Sequence, residues 1–245
     1  MTTRSSVKQR AGNREIISPI EPTGAEGRAT ISGRVYQALR KAILSLRLRP
    51  GDSLSEADMA AQLGTSRQPV REAFIKLSET GFVDIVPQRG TFVRRISSHE
   101  VGNARFIREH VEAALVRRAA ERGSPDNIAR LKVLIAEQKQ AESAADHDLF
   151  IELDDAFHRT IAVCAECESA WRVIDELKGQ MDRVRYLSIP EATPIGKLIE
   201  QHAAITEAIA AHDPDAAEKA MHGHLSEMLT SLPVLAGRHA ELFSD

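Results

Sequence analysis

The fold of the amino-terminal part of the chain is decided by residues 55–81, SEADMAAQLGTSRQPVREAFIKLSETG. Ser55, with Asp58 three residues later, forms a capping-box pattern that predicts the start of a short helix, and Gly64 predicts its end. Ser66 is of the type that caps the next helix, whose first turn tolerates the proline that follows. The stretch therefore predicts two helices joined by a glycine turn.

The flanking residues extend this plan in both directions. Apolar side chains recur at helical spacing from Ile31 to Leu48, which predicts a helix upstream. Two short β-rich runs, FVDIV and TFVRR, surround the turn PQRG at 87–90 and predict a hairpin downstream. Residues 30–96 thus read as a winged helix-turn-helix domain, and residues 1–29, which are polar and without a period, as a flexible basic tail.

The second helix of this domain carries side chains suited to reading bases. Its apolar residues pack inward, which leaves Arg67, Gln68 and Arg71 on the opposite or leading surface. The amino-terminal residues of a recognition helix reach base edges in the major groove, where Arg pairs with guanine and Gln with adenine. Ser66 can bind phosphate beside the free backbone N–H groups of the helix start. The alternative for a single Arg is an ordinary solvated helix charge.

The hairpin adds a second DNA-binding element. Arg89 and Gly90 lie at its tip; an Arg is favoured in the minor groove, and a Gly lets the backbone approach the sugar-phosphate chain. Aromatic residues are only 4% of the chain, and none clusters on this surface, which excludes base stacking on single strands. The predicted partner is duplex DNA.

Charge and composition divide the chain in the same place. Residues 1–95 contain 16 Lys and Arg against 9 Asp and Glu, whereas the other 150 contain 16 against 26. No apolar run approaches the roughly 18 residues of a membrane span, and no secretory signal is present, so no membrane partner is expected. Cys164 and Cys167 do not make a disulfide framework, and we expect a reduced, cytoplasmic setting.

After Ser97 the chain is predicted to be entirely helical, so the fold class is mainly α. Residues 97–237 read as one helical bundle followed by a carboxy-terminal tail, 238–245. Six amphipathic segments are expected, with Gly and Pro between them. They span roughly 99–122, 125–142, 146–165, 168–188, 195–211 and 214–232.

Four polar residues fall on the inner faces of three of these helices. Asp154 and His158 lie four residues apart beside the apolar stripe of FIELDDAFHRTIAV (150–163), and His202 and His224 lie on the inner faces of two later segments. Residues at this spacing sit about 5–6 Å apart on one face. A divalent cation would satisfy all four, with Zn²⁺ the first choice and Ni²⁺, Mn²⁺ or Fe²⁺ admitted. A hydrogen-bonded polar core remains the alternative.

The motifs SRQPVREA, GFV and P-x-RGTFV resemble those of the GntR family of bacterial transcription regulators, over residues 34–95. The resemblance implies that Arg67, Arg71 and the wing at Arg89-Gly90 contact an operator. It also implies that Arg34, which opens the first helix, and Ser66 touch phosphates. Members of the family act as homodimers, usually repressors, on pseudo-palindromic operators.

Residues 99–235 resemble the FCD effector domain of the FadR subfamily through LDDAFHRTI, EQHAAITEAIAAHDPDAAEKAM and GHL. The resemblance implies metal binding by Asp154, His158, His202 and His224, and six helical segments favour the VanR-type branch. In FIREHVEAAL, Arg108 is implied to hold an effector carboxylate; the alternative is an ion pair with Glu112. MDRVRYL offers Arg183 and Arg185, of which Arg183 is preferred for the pocket. Cys167 departs from the family pattern, which often has Asn there.

These features predict a transcription regulator, not an enzyme, whose operator binding responds to a small organic acid. Two other hypotheses remain at this point. The cation itself could be the signal, or the helical part could be a metal-dependent hydrolase fused to a DNA-binding domain, although no His-Glu-x-x-His motif and no general base were found.

Overall fold

The computed structural model describes residues 17–19 and 30–244, without the side chains of 228–230. In this part of the chain the elements follow one another as α1 (Ile31–Leu44), β1 (Ser53–Leu54), α2 (Glu56–Leu63), α3 (Arg67–Glu79), β2 (Val83–Val86), β3 (Gly90–Val93), α4 (Ser98–Arg122), α5 (Pro125–Ser143), α6 (His147–Cys164), α7 (Glu168–Leu177), α8 (Gly179–Glu191), α9 (Ile195–Ala210), α10 (Pro214–Arg238) and a 3₁₀ turn (Ala240–Leu242). The fold is mainly α, as predicted.

The helix-turn-helix forms as the sequence indicates. The Ser55 hydroxyl accepts a hydrogen bond from the Asp58 N–H at 3.4 Å, and α2 ends at Gly64, whose φ of 65° is left-handed. Val70, Phe74 and Leu77 of α3 are buried. This inner face fixes α3 against α2 and leaves its opposite face to solvent.

The wing is a hairpin within a three-stranded sheet of order β1-β3-β2. The pairing of β1 with β3 is antiparallel, with Ser53 opposite Phe92 and Leu54 opposite Thr91. The strand β1 was not predicted, because two residues are too short to show an alternating pattern. Gly90 has a φ of 117°, which an L side chain rarely adopts, so this position of the wing requires glycine.

The described chain separates into two compact units. The winged unit contains α2, α3, the wing and most of α1, and the helical unit contains residues 43–52 together with everything from 93 onward. In the helical unit α4 and α9 each pack against α10, and α5 packs against α6 and α9. Among the described residues, no helix has the length and apolar character needed to cross a membrane.

The predicted bundle holds, but one of its six segments is wrong. Residues 168–188 are two helices, α7 and α8, that meet at Lys178. The α8 helix is buried along nearly its whole length, so hydrophobic periodicity could not reveal its separate course. The described part of this unit therefore has seven α-helices, which removes the count of six on which the assignment to the VanR-type branch rested.

The predicted carboxy-terminal tail is also wrong where the structure describes it. The 3₁₀ turn follows α10, and the Ile96 N–H donates to the Leu242 carbonyl at 2.9 Å while the Ser244 N–H donates to the Ile96 carbonyl at 3.0 Å. Leu242 and Phe243 are buried with Ile96 in one apolar cluster. Apolar burial therefore holds residues 240–244 against the chain that precedes α4.

The predicted amino-terminal tail, residues 1–29, lies outside the described residues except for 17–19. Within that short piece the Ile17 side chain is buried, which does not fit a fully solvated tail at that position.

Candidate functional site

The predicted base-reading residues lie together on the exposed side of α3. Arg67, Gln68 and Arg71 are all exposed. Arg71 donates from Nε and Nη2 to the two carboxylate oxygens of Glu56 at 2.9 and 3.0 Å, and Gln68 donates to Glu72 at 3.0 Å. Two carboxylates thus orient the side chains of this face, a feature that the sequence reading missed.

The other predicted DNA-contacting residues lie within the same winged unit. Ser66 is exposed at the start of α3, and its hydroxyl makes no capping hydrogen bond. Arg89 and Gly90 are exposed at the tip of the wing, and Arg34 is half-buried in α1. Solvent reaches the predicted base-contacting and wing residues, as a DNA-binding surface requires.

The four predicted metal ligands converge in the core of the helical unit. One ligand atom from each of Asp154, His158, His202 and His224 lies within 4.8 Å of all the others, and all four residues are buried. The His224 Nε2 atom is 3.1 Å from that of His158 and 3.4 Å from that of His202. Two nitrogens bound to one zinc ion at about 2.1 Å lie roughly 3.0–3.4 Å apart, so the spacing fits a shared cation.

Each histidine is oriented by a hydrogen bond to its other ring nitrogen. Glu112 accepts from the His158 Nδ1, Gln138 Oε1 accepts from the His202 Nδ1 at 2.9 Å, and Gln201 Oε1 accepts from the His224 Nδ1 at 3.0 Å. The Gln138 amide nitrogen donates to the Leu153 carbonyl at 3.3 Å, which explains why its oxygen faces His202.

The hydrogen bonds to the three Nδ1 atoms determine which ring nitrogens are left to bind a metal ion. If each Nδ1 carries the proton, each Nε2 presents a lone pair, and three acceptors face one another beside the Asp154 carboxylate with no donor between them. Burial lowers the pKa of His202 and His224 well below the usual value, which keeps both imidazoles neutral. Neutral imidazoles with inward lone pairs are the state that binds a metal ion.

Asp154 is ionised despite its burial. Desolvation opposes the charge, but the Arg185 guanidinium, which donates to Oδ2, outweighs it and lowers the pKa of Asp154. The carboxylate lies 3.4 Å from the His202 Nε2 atom and 3.9 Å from that of His158. The donor set therefore consists of three nitrogens and one anionic oxygen, which suits Zn²⁺, Ni²⁺, Mn²⁺ or Fe²⁺.

Arg108 occupies the position that the sequence suggested and also makes the alternative contact. Its Nε donates to Glu112, and both side chains are buried. Burial disfavours the Glu112 carboxylate, but Arg108 and His158 outweigh burial and hold its pKa well below the ordinary range. The Arg108 Nη2 is buried and has no hydrogen-bond partner. The ion pair with Glu112 therefore leaves the Arg108 Nη2 without a hydrogen-bond partner.

The preference for Arg183 over Arg185 is wrong. Arg183 points away from the centre, donating to the Arg94 carbonyl at 2.6 Å and to Gln180 at 3.0 Å. Burial and the nearby Arg94 charge lower the pKa of Arg183 to about 10. Arg185 lines the cavity instead. Periodicity could not separate the two, because both faces of α8 are buried.

Asp155 is half-buried and belongs to a network of ion pairs that includes Arg185, the partner of Asp154. It accepts from Lys178 at 2.6 Å and from Arg185 at 3.0 Å. Asp182 accepts from the same two cations at 2.7 and 3.0 Å. The cations outweigh burial and keep the pKa of Asp155 well below its usual value. Losing Asp155 would remove one of the three carboxylates that hold Arg185.

A cavity of about 50 Å³ opens beside Asp154 and His224, two of the four predicted ligands. Its charged and ligand-bearing lining comes from Arg108, Asp154, Arg185, His224 and Glu227. The remaining lining residues are apolar or carry hydroxyl groups: Met181, Ser188, Ile189, Thr193, Leu198, Leu225 and Ser231. Two of the predicted metal ligands, Asp154 and His224, therefore border the same space as Arg108.

The two cysteines show no sign of a metal site. Both are free thiols, and Cys164 is buried whereas Cys167 is half-buried. Burial raises the pKa of Cys164 to about 11, so this thiol is unreactive near neutral pH.

Comparison with known proteins gives the same two parts. The description "Bacterial regulatory proteins, gntR family" matches residues 31–93, and "FCD domain" matches residues 104–227. The "HTH-type transcriptional repressor RspR" of Escherichia coli K12 is 39% identical over 215 residues, which cover 88% of this chain and 94% of that protein. These matches are to transcription regulators and not to enzymes.

Solved structures share the fold. Escherichia coli McbR/YncC has a TM-score of 0.73 at 22% identity, covering 86% of this chain and 99% of that one. A "putative transcriptional regulator GntR from Rhodococcus sp. RHA1" has a TM-score of 0.69 at 26% identity, covering 82% and 97%. With a gntR-type helix-turn-helix and an FCD domain in one chain, this protein belongs to the GntR family of bacterial DNA-binding transcription regulators, in its FadR-like subfamily.

Proposed function

We propose that this regulator is a homodimeric repressor and that a small carboxylate, bound by a divalent metal ion and Arg108, changes its affinity for a pseudo-palindromic operator. The observation that carries the proposal is the convergence of three imidazole Nε2 atoms and Asp154, each imidazole oriented by an outer hydrogen bond. Three buried imidazole lone pairs that face one another are costly, and a cation bound between them removes that cost.

Zinc suits the donor set best, and nickel, manganese or iron also fit three nitrogens and one oxygen. When bound, the cation would supply a Lewis acid for an effector oxygen. Arg108 supports the same interpretation, because this residue lines the cavity and its buried Nη2 has no hydrogen-bond partner. A guanidinium and a metal ion can hold a carboxylate from two sides.

On the DNA side, Arg67, Gln68 and Arg71 read bases in the major groove. Their exposure at the start of α3 supports this role. Two copies of α3 in a dimer would meet two half-sites about one helical turn apart.

The backbone-contacting residues complete the proposed interface. Ser66 and Arg34 contact phosphates, while Arg89 enters the minor groove and Gly90 lets the wing approach it. The left-handed φ of Gly90 and the exposure of Arg89 support this part of the proposal.

The α8 helix provides a route from the cavity to the chain that leads into the wing. Arg185 and Ser188 of α8 line the cavity, whereas Arg183 of the same helix donates to the carbonyl of Arg94, directly after β3. An effector that binds one position of α8 better than another would therefore act on this segment.

The test is operator binding by full-length protein in three states: treated with chelator, loaded with zinc, and loaded with zinc in the presence of a panel of small acids. The operator is obtained by selection from random duplexes, and affinity is read by fluorescence anisotropy. We expect metal to co-purify in the absence of chelator and at least one acid to change the Kd about tenfold, only when zinc is present.

The alternative hypothesis, in which the cation is the signal, predicts a different result. Zinc alone would then change operator affinity, and no acid would. Folded protein purified without chelator that contains no metal would contradict both versions.

A further inference from the structure

Two guanidinium groups line the cavity, but they differ in how many partners they already have. Arg185 donates to Asp154, Asp155 and Asp182. These three carboxylates outweigh the burial of Arg185 and raise its pKa. Its charge is therefore compensated more than once before any ligand arrives.

Arg108 is the opposite case. Within the described residues its one ion pair joins Nε to Glu112, and its Nη2 is buried with no hydrogen-bond partner. A buried donor without a partner is costly, so this atom marks the place where an acceptor belongs. An incoming carboxylate would therefore bind Arg108 rather than Arg185.

The charge of the whole buried cluster limits how much negative charge can enter. Four carboxylates are joined by ion pairs to three cationic side chains: Glu112, Asp154, Asp155 and Asp182 with Arg108, Lys178 and Arg185. A divalent metal ion on neutral imidazoles brings the sum to a single positive charge. Asp175 also lies 3.5 Å from Lys178 but is 43% exposed, so water screens it.

The remainder of the described lining offers no further cation for a second anionic group. Glu227 lines the cavity, and its carboxylate is 2.7 Å from the Lys197 ammonium, an ion pair with no net charge. Apart from Arg108 and Arg185, the described lining residues include no Lys or Arg. A second carboxylate on the ligand would meet Glu227, hydroxyl groups or apolar side chains.

We infer that the effector is a small organic acid with one negative charge, and that a di- or tricarboxylate is excluded. This inference rests on the proposed function, since the count includes the metal ion. The single carboxylate is shared between the metal ion and Arg108, while Arg185 holds Asp154 in place and does not bind the ligand. The uncharged part of the acid lies against the hydroxyl and apolar residues of the cavity.

The experiment compares acids of matched length with full-length protein loaded with cobalt(II) or zinc. Butanoate and 3-hydroxybutanoate are titrated against succinate and malate, and binding is followed by the visible spectrum of the cobalt protein and by calorimetry of the zinc protein. We expect the monocarboxylates to bind at least tenfold more tightly than the matched dicarboxylates. Equal or tighter binding of the dicarboxylates overturns the inference. It is also overturned if neither monocarboxylate binds at concentrations up to about 50-fold above the physiological millimolar range.

An Asp182→Asn variant tests the charge count directly. Asn keeps the shape of the side chain and one of its two acceptor oxygens but removes one negative charge, so the preference should shift about tenfold toward dicarboxylates. Asp175→Asn is the matched control, because it removes an exposed carboxylate beside the same lysine and should leave the preference unchanged. If Asp182→Asn does not fold, Asp155→Asn makes the same change in charge.

The outcomes separate this inference from the function on which it rests. A protein that retains no metal contradicts the proposed function itself. A protein that retains metal but prefers dicarboxylates, or whose preference does not move in Asp182→Asn, contradicts only the inference about the charge of the effector.

Discussion

The two units of this chain use charged side chains in opposite ways. On α3 of the winged unit, Arg67 and Arg71 are exposed, and Arg71 is 61% accessible even while paired with Glu56. In the helical unit, Lys178 and Arg185 are buried within a network of carboxylates. Exposed cations remain available to a polyanion, whereas buried cations are committed to their partners, and Arg185 holds the proposed metal ligand Asp154 in place. Whether a cation is exposed or buried therefore indicates whether it is available to DNA or supports the buried site.

The largest expected effect comes from breaking the buried network. Among the described residues, Lys178→Met leaves Asp155 and Asp182 with Arg185 as their one remaining cationic partner. Removing one member of a buried pair typically costs about 3–5 kcal/mol. We expect a loss of about 3 kcal/mol in the free energy of unfolding, measured by urea denaturation in excess chelator.

The matched control is Arg122→Met, in which an exposed cation paired with Glu166 on the surface of the same unit is removed. Its expected change is below about 1 kcal/mol. Equal losses of unfolding free energy in the two variants would mean that the buried ion pairs of Lys178 stabilise the fold no more than a surface ion pair does.

The next largest effect is expected at the exposed cations. Arg67→Ala combined with Arg71→Ala removes two proposed base contacts, and the affinity for the selected operator should fall about 100-fold or more. Affinity for an unrelated duplex should fall much less, because phosphate contacts elsewhere remain. Anisotropy titrations at one fixed salt concentration measure both, with Arg130→Ala, an exposed site in the helical unit, as control.

Undiminished operator affinity in the double variant would remove Arg67 and Arg71 from the proposed interface. The same result would also weaken the distinction between exposed and buried cations drawn above.

A smaller effect is expected where the buried polar side chains orient the metal ligands. Gln138→Leu keeps the approximate size of the side chain but removes the acceptor for the His202 Nδ1 atom. Loss of such an outer partner typically weakens metal binding 10–100-fold. Competition with a zinc-sensitive dye measures the affinity, and Gln140→Leu, exposed on the same helix, is the control. Unchanged zinc affinity would show that Gln138 does not orient a ligand.

The smallest effect is expected at the exposed ion pair of α3. Glu56→Gln removes the carboxylate that orients Arg71 and also a negative charge near the proposed phosphates. Affinity for unrelated DNA should rise and the ratio of specific to unrelated affinity should fall, by roughly two- to fivefold. A ratio that stays constant while both affinities rise would mean that Glu56 acts through its charge alone.

The sequence was most informative where local chemistry decides the structure. The caps and glycines at Ser55, Gly64 and Gly90 act over a few residues, and the structure follows them. The inner-face positions of His158 and His202 follow from helical period alone, and both residues are buried. These predictions succeeded because each depends on a pattern confined to one element.

The failures share a different cause. Arg183 and Arg185 lie on a helix that is buried on several sides. The spacing of apolar residues along such a helix does not show which side chain faces the cavity. The outer partner of His202 is a glutamine from another helix, and no spacing within either helix reveals it. The packing of residues 240–244 depends on hydrogen bonds with Ile96, almost 150 positions earlier in the chain.

The sequence by itself thus determined a winged helix-turn-helix followed by a helical domain, the exposed side of α3, and the four residues that converge in the core. Helix caps, turns and helical periodicity depend on residues close together in the chain, so the amino-acid sequence alone reveals them. The tertiary structure decided which arginine lines the cavity, which carboxylates compensate it, and that part of Arg108 is left without a partner. Those facts depend on distances between helices, which arise only when the helices pack.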